Sequence, residues 1–130
     1  MEIIVQKFGG TSVKDMAARK QALKHVQYAV DQGDKVIVVV SAIGRKGAPY
    51  ATDSVLGLVG ADQSRLTNRE LDMIVSVGET ISTAVFTELA REQGLNVTAM
   101  TGHDAGIVTN DDYQNAKILR VDPKPIKDAF

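Results

Sequence analysis

The sequence predicts an α/β fold: a mostly parallel central sheet between helices, a three-layer αβα arrangement that is incomplete. Three observations predict it. Ile3-Ile4-Val5 and Val36-Ile37-Val38-Val39-Val40 are unbroken β-branched runs, the pattern of strands buried on both faces of a parallel sheet. Between them lies one helical segment of the length that a parallel crossover needs. The final helix signal stops at Phe130 soon after it starts, apolar and without a terminating glycine, so the fold is expected to be unfinished.

The elements follow in order. From Asp15 to Gln32, Met16, Leu23, Val26 and Val30 fall near one helical face, and Gly33 stands where a glycine ends a helix. From Gly44 to Asp53, Gly44, Gly47, Pro49 and Tyr50 break any period, which predicts a loop with a task. A short helix is expected at Ser54 to Val59. Thr67-Asn68-Arg69-Glu70 is a capping box; it opens a long helix to Gln93, closed by Gly94. Gly78 sits inside that helix, at a cost of roughly 1 kcal/mol relative to alanine. Such a glycine implies close approach of another backbone or of a ligand. Leu95 to Met100 reads as the next strand. Thr101 to Gly106 is turn-rich, and Ile107-Val108-Thr109 and Ile118-Leu119-Val121 read as short strands. Asp122-Pro123 resembles a cap followed by proline at the first helical position, with Pro125 still inside the first turn. Met16, Met73 and Met100 are expected to fill the core.

Composition narrows the function. A chain of 130 residues, 44% hydrophobic and 24% charged, can form one core without metal or disulfide staples. Fifteen basic against 16 acidic residues leave a net charge of -1, which excludes a strongly basic nucleic-acid binder. Arg45-Lys46 and the dispersed Lys117, Arg120, Lys124 and Lys127 read as solvated surface. The chain has no cysteine, hence no disulfide or thiolate chemistry, as suits a reducing cytoplasm. The start, Met1 to Lys7, carries an early acidic residue and too short an apolar run for a secretory signal. Val36 to Val40 is far too short to span a bilayer. A soluble cytoplasmic protein with no membrane partner is expected. His25 and His103 stand alone, without ligand spacing, so no metal site is expected within the chain.

One motif carries chemistry. The first strand runs into Gln6-Lys7-Phe8-Gly9-Gly10-Thr11-Ser12, directly before a helix. Two glycines let backbone N–H groups approach an oxyanion, and a helix start adds a favourable dipole. Lys7 adds a full charge, Thr11 and Ser12 hydroxyls. The spacing matches neither a Walker A loop nor a dinucleotide fingerprint. A Gly-Gly pair alone would read as a tight turn; lysine, glycines and hydroxyls together favour phosphate. Glu79 is the second candidate. Glutamates on helices are commonly just solvated, but the neighbouring Gly78 favours a functional reading.

These residues carry a resemblance. Lys7-Phe8-Gly9-Gly10-Thr11-Ser12-Val13 is similar to the opening motif of the aspartate kinases, within the amino-acid kinase superfamily. Val38-Val39-Val40-Ser41-Ala42 resembles that family's second strand, ending in serine. Arg69-Glu70-Leu71-Asp72 with Ser76-Val77-Gly78-Glu79 resembles its glycine-glutamate helix. Thr101-Gly102, Ala105-Gly106 and Asn115-Ala116-Lys117-Ile118 resemble the segment that follows. The likeness implies transfer of phosphate from ATP to the side chain of L-aspartate, the first step toward lysine, threonine and methionine. It implies that Lys7, Gly9 and Gly10 contact the terminal phosphates, with Lys7 catalytic. Thr11 and Ser41 would line the meeting point, Thr52 would touch substrate, and Glu79 would bind the amino group. ATP would act as co-substrate with Mg2+, although no carboxylate here stands out as a magnesium ligand. A carboxylate with an unperturbed pKa of about 3.9 is already ionised at neutral pH, so alignment and charge neutralisation are required rather than a general base.

The family continues with a second glycine-rich segment, an arginine for the α-carboxylate, an adenine pocket and regulatory domains. Residues 1–130 are therefore expected to be the amino-acid-binding lobe, with little turnover in isolation. A half sheet with a free edge and an uncovered face also predicts self-association into a homo-oligomer. Two other readings fit the same residues: a kinase of glutamate or another small phosphate acceptor, and a non-catalytic binding or assembly module. The Gly78-Glu79 pair favours the aspartate kinases over other kinases.

Overall fold

The computed structural model describes residues 1–130. Strand β1 (Ile3–Phe8) leads through a 3-10 turn at Gly10–Ser12 into α1 (Met16–Asp31) and then β2 (Lys35–Val40). The short helix α2 (Thr52–Gly57), a second 3-10 turn at Ala61–Gln63 and the long helix α3 (Asn68–Glu92) follow. The chain ends with β3 (Ile107–Thr109), β4 (Ile118–Val121) and α4 (Lys124–Ala129).

β1 and β2 are parallel, in register from Ile3 opposite Lys35 to Phe8 opposite Val40. With α1 they form the expected strand-helix-strand unit. Gly33 ends α1 as the sequence marks, with a φ of +88°, and at the other end the Asp15 carboxylate accepts from the Ala18 N–H at 2.8 Å, a cap that the sequence reading did not identify. β3 and β4 form a separate antiparallel ribbon with an irregularity between Val108 and Thr109.

The core lies on one face of the parallel pair. Ala22, Leu23 and Val26 of α1 meet Phe86, Leu89 and Ala90 of α3 around Val13, over Phe8, Val36, Val38 and Val40. The Phe8 and Phe86 rings stack with centroids 5.9 Å apart, which ties α3 directly to β1. Ile3 and Val5 on the opposite face are 56% and 62% exposed. The β-branched runs led to the expectation of a sheet covered on both faces, whereas in residues 1–130 helices pack on one face only.

α3 starts on its capping residues: the Glu70 carboxylate accepts from the Thr67 N–H at 2.6 Å and from the Thr67 hydroxyl. Those bonds, the hydroxyl's first and the N–H's second, hold the Glu70 carboxyl below its ordinary value. This helix is long and apolar enough to cross a bilayer, with a third of its apolar window buried inside the molecule. Phe86, Leu89 and Ala90 are among the residues it buries in the core.

Several expectations need correction. Leu95 to Met100 forms no strand. Leu95 and Val97 pack against the core as their alternation implies, but no neighbouring strand bonds to them, and the Arg91 guanidinium donates to the Val97 carbonyl instead. Alternation reports which side is buried; it cannot report a ladder. α2 begins at Thr52 rather than Ser54, which puts Thr52 and Asp53 on a helix and not in the loop. α1 begins only at Met16, so a 3-10 turn at Gly10–Ser12 rather than the helix itself follows Gly9-Gly10 directly. At the chain's end α4 begins at Lys124, one residue later than Asp122-Pro123 suggested, although the Asp122 carboxylate does accept from the Lys124 N–H at 3.0 Å. Met16 and Met73 are 48% and 57% exposed, because the outer sides of α1 and α3 at those positions have no neighbour.

Gly78 has the reason that a mid-helix glycine requires. A methyl group there would stand 2.9 Å from the Tyr50 carbonyl oxygen and 3.0 Å from Ala42 Cβ. Alanine would contribute roughly 1 kcal/mol of helix propensity, against typically about 1–3 kcal/mol for overpacking. The near contact is backbone and cannot swing aside, so the penalty wins. Gly78→Ala is expected to lower the denaturation midpoint. Gly57→Ala, where nothing lies within 4 Å of the added carbon, is expected to hold or raise it; the reverse order would refute the account. The Glu70 contribution also has a sign. Its folded-state pKa is depressed, so the stabilisation is present above the unfolded value and is lost as pH falls through the folded one. The stability difference between the native chain and Glu70→Gln should be constant near neutrality and shrink below the ordinary value of 4.5, as read by denaturation midpoints along a pH series.

Candidate functional site

A cleft of ≈ 470 Å³ opens beyond the carboxyl ends of β1 and β2, the position where open α/β sheets bind ligands. It is lined by Gly10, Ser41, Ala42, Gly44, Arg45, Lys46, Ala51, Thr52, Asp53 and Glu79. Four segments meet there: the turn after β1, the loop after β2, the first turn of α2, and the middle of α3.

Each segment is held by identifiable contacts. The Ser41 N–H donates to the Phe8 carbonyl at 3.1 Å and the Gly44 N–H to the Gly10 carbonyl at 3.0 Å, joining the two strand ends. Gly10 is required by that junction: a side chain there would collide with the Gly44 carbonyl and lie 2.9 Å from the Ala42 carbonyl. Gly9 differs, since its φ of -72° is ordinary extended backbone and nothing lies within 4 Å of where a side chain would start. The fold itself makes no demand for glycine at that place. Ala42 and Ala51 are buried at 6% and 3% exposure and form the only apolar lining. α3 contributes a single residue, Glu79, beside the glycine that lets the helix come close.

The charges are separated rather than neutralised. Arg45 and Lys46 stand on the loop, Asp53 and Glu79 on the helices, yet the only ion pair in the chain joins Lys124 to Asp128 at the far end. Two cations, two carboxylates and the hydroxyl-bearing Ser41 and Thr52 thus share a polar cleft without cancelling one another. Such a lining suits a small polar ligand carrying both signs of charge. The only carboxylates among the lining residues are Asp53 and Glu79, fewer than an all-protein cation cage uses but compatible with a magnesium ion held mainly by phosphates and water.

Of the residues the sequence singled out, Gly10, Ser41, Thr52 and Glu79 come together here. Lys7, Gly9 and Thr11 do not line the cleft; Gly9 and Thr11 flank Gly10, while Lys7 alternates with Ile3 and Val5 on the exposed side of β1. Arg45, Lys46 and Asp53 were missed. The first two had read as solvated surface, although the glycines at 44 and 47 that bracket them were visible in the sequence.

Comparison with known proteins agrees with this geometry. Over 124 residues the chain is 56% identical to Aspartokinase 1 of Bacillus subtilis (strain 168), an alignment covering 95% of this chain and 31% of that protein. It is 37% identical over 127 residues to the aspartokinase of Geobacillus stearothermophilus, covering 98% of this chain and 30% of the relative. The chain thus spans about a third of the length of the curated relatives it matches. The crystal structure of aspartate kinase from Synechocystis superposes with a TM-score of 0.67 at 32% identity, over 81% of this chain and 17% of the other. With residues 2–130 matching the model of the amino acid kinase family, and with a polar cleft at the carboxyl ends of a parallel strand pair, the chain belongs to that family.

Proposed function

We propose that residues 1–130 form the amino-acid-binding lobe of an aspartate kinase, which transfers the γ-phosphate of ATP to the side-chain carboxylate of L-aspartate. The observation that carries this reading is Glu79, a carboxylate with no cation paired to it, which shares the cleft with Gly10, whose neighbour Gly9 has open space where a side chain would start. An α-ammonium group would supply the missing charge at Glu79. Gly9 would let a phosphate approach the backbone more closely than a side chain allows.

The chemistry asks little of the protein beyond position. A carboxylate oxygen of aspartate attacks the γ-phosphorus; the bond from phosphorus to the β,γ-bridging oxygen breaks, and its electron pair leaves with ADP. The attacking carboxylate is already ionised, so no proton has to be removed. Ser41 and Thr52 would hydrogen-bond the reacting oxygens where the two substrates meet, and Glu79 would fix the amino acid's direction. Asp53, the cleft carboxylate not assigned to the amino acid, would help hold Mg2+ brought in with the nucleotide, and the ion would supply positive charge to offset that of the phosphates. Lys7 would act from the open side of β1, with Thr11 near the phosphate end. A soluble biosynthetic role in the cytoplasm, toward lysine, threonine and methionine, follows from the same reading. So does homo-oligomerisation, favoured by the exposed Ile3, Val5 and Val39 on the bare sheet face.

Calorimetry with L-aspartate tests the assignment. Glu79→Ala should weaken binding by about tenfold or more, as expected for loss of a charge-assisted contact, while the denaturation midpoint stays close to that of the native chain. Undiminished aspartate affinity in that variant would remove the basis of the reading. The two glycines separate by the same means. Gly9→Ala should fold normally and lose phosphate affinity, whereas Gly10→Ala should lose stability.

A further inference from the structure

We propose that the Arg45-Lys46 turn is a cationic arm that binds the terminal phosphates of the nucleotide while Glu79, on α3, takes the amino acid. This deepens the reading of the cleft given above and rests on it.

The arm is built rather than accidental. Gly44 and Gly47 bracket the two cations with φ of +81° and +97°, a region open to glycine at little cost. The Ala48 N–H donates to the Arg45 carbonyl at 2.8 Å. That bond closes a four-residue turn whose third residue has positive φ, as type II turns require. Both feet of the turn are anchored. On one side the Gly44 N–H holds the Gly10 carbonyl; on the other the Ser54 hydroxyl donates to the Ala48 carbonyl at 2.5 Å, next to buried Ala51. The cations at the tip remain exposed. A turn fixed at its base with a charged, solvated tip keeps its cations in the cleft without immobilising them on a protein carboxylate.

Electrostatics assigns the ligand. Asp53 and Glu79 give the cleft two negative charges, and Arg45 and Lys46 are its only cations, since Lys7 does not line it. Among the residues that line the cleft, only these two cations can offset the carboxylates for an entering triphosphate; Lys7 would act from outside it. An arginine fork matches phosphate oxygens two at a time, and a lysine adds a mobile point charge. Position assigns it to phosphate over the substrate's carboxylates: the arm is bonded to the Gly10 turn, the glycine-rich end of the cleft, whereas Glu79 projects from α3.

The test uses the whole 130-residue chain, inorganic tripolyphosphate and L-aspartate, each titrated separately by calorimetry at two salt concentrations. Arg45→Gln combined with Lys46→Gln should weaken tripolyphosphate at least about tenfold and flatten its salt dependence. Aspartate affinity and the thermal midpoint should stay as in the native chain. Tripolyphosphate bound equally by the double variant would overturn the arm alone and leave the aspartate site standing. A loss confined to aspartate would also overturn it, assigning the cations to the amino acid. Failure of the native chain to bind either ligand would overturn the arm and the kinase-lobe reading together.

Discussion

The site depends on how closely the middle of α3 approaches the segment after β2. At Gly78 the helix lies against the Tyr50 carbonyl and the Ala42 methyl, a distance no side chain would permit. One helical step later Glu79 enters the cleft. The same contact presses Ala42 and Ala51 into the floor, and so sets where the loop between them can go. Two turns further along α3, the stacked Phe8 and Phe86 rings hold the helix to the sheet. One apolar contact near the end of α3 and one missing side chain near its middle together determine the cleft's width.

Backbone junctions then distribute the charges. The Gly10 turn and the Gly44 turn are bonded to each other, so the glycine-rich end and the cationic end of the cleft form one wall. α2 and α3 carry the carboxylates. No salt bridge joins these opposite charges, which leaves both available to a ligand that brings its own opposite signs. The cost is borne in water: Arg45, Lys46 and Asp53 are exposed, so they keep their hydration until something displaces it.

Particular residues show how far periodicity reached. Local signals were reliable where the cause is local. Thr67 with Glu70, and Gly33, act within a turn of themselves, and they bound their helices as read. Gly78 was legible as an anomaly, because a glycine in a long helix has a cost that something else must offset; the partner, the Tyr50 carbonyl, was not. Leu95 to Met100 misled because alternation reflects burial alone, and a strand needs a partner that no local pattern supplies. Arg45 and Lys46 misled in the opposite way. A charge pair between glycines is chemically the same on a free surface and on a cleft.

The sequence by itself determined the strand-helix-strand start, the helix ends and most of the chemistry-bearing residues, since each depends on side-chain shape or on hydrogen bonds between near neighbours. Which of those residues share a space was decided only by the tertiary structure. Cleft membership for Arg45, Lys46 and Asp53, the position of Lys7 on the open sheet face, and the separate reasons for Gly9 and Gly10 all arise from contacts between segments distant along the chain. Those contacts depend on packing geometry across the core, which residue order encodes but does not display.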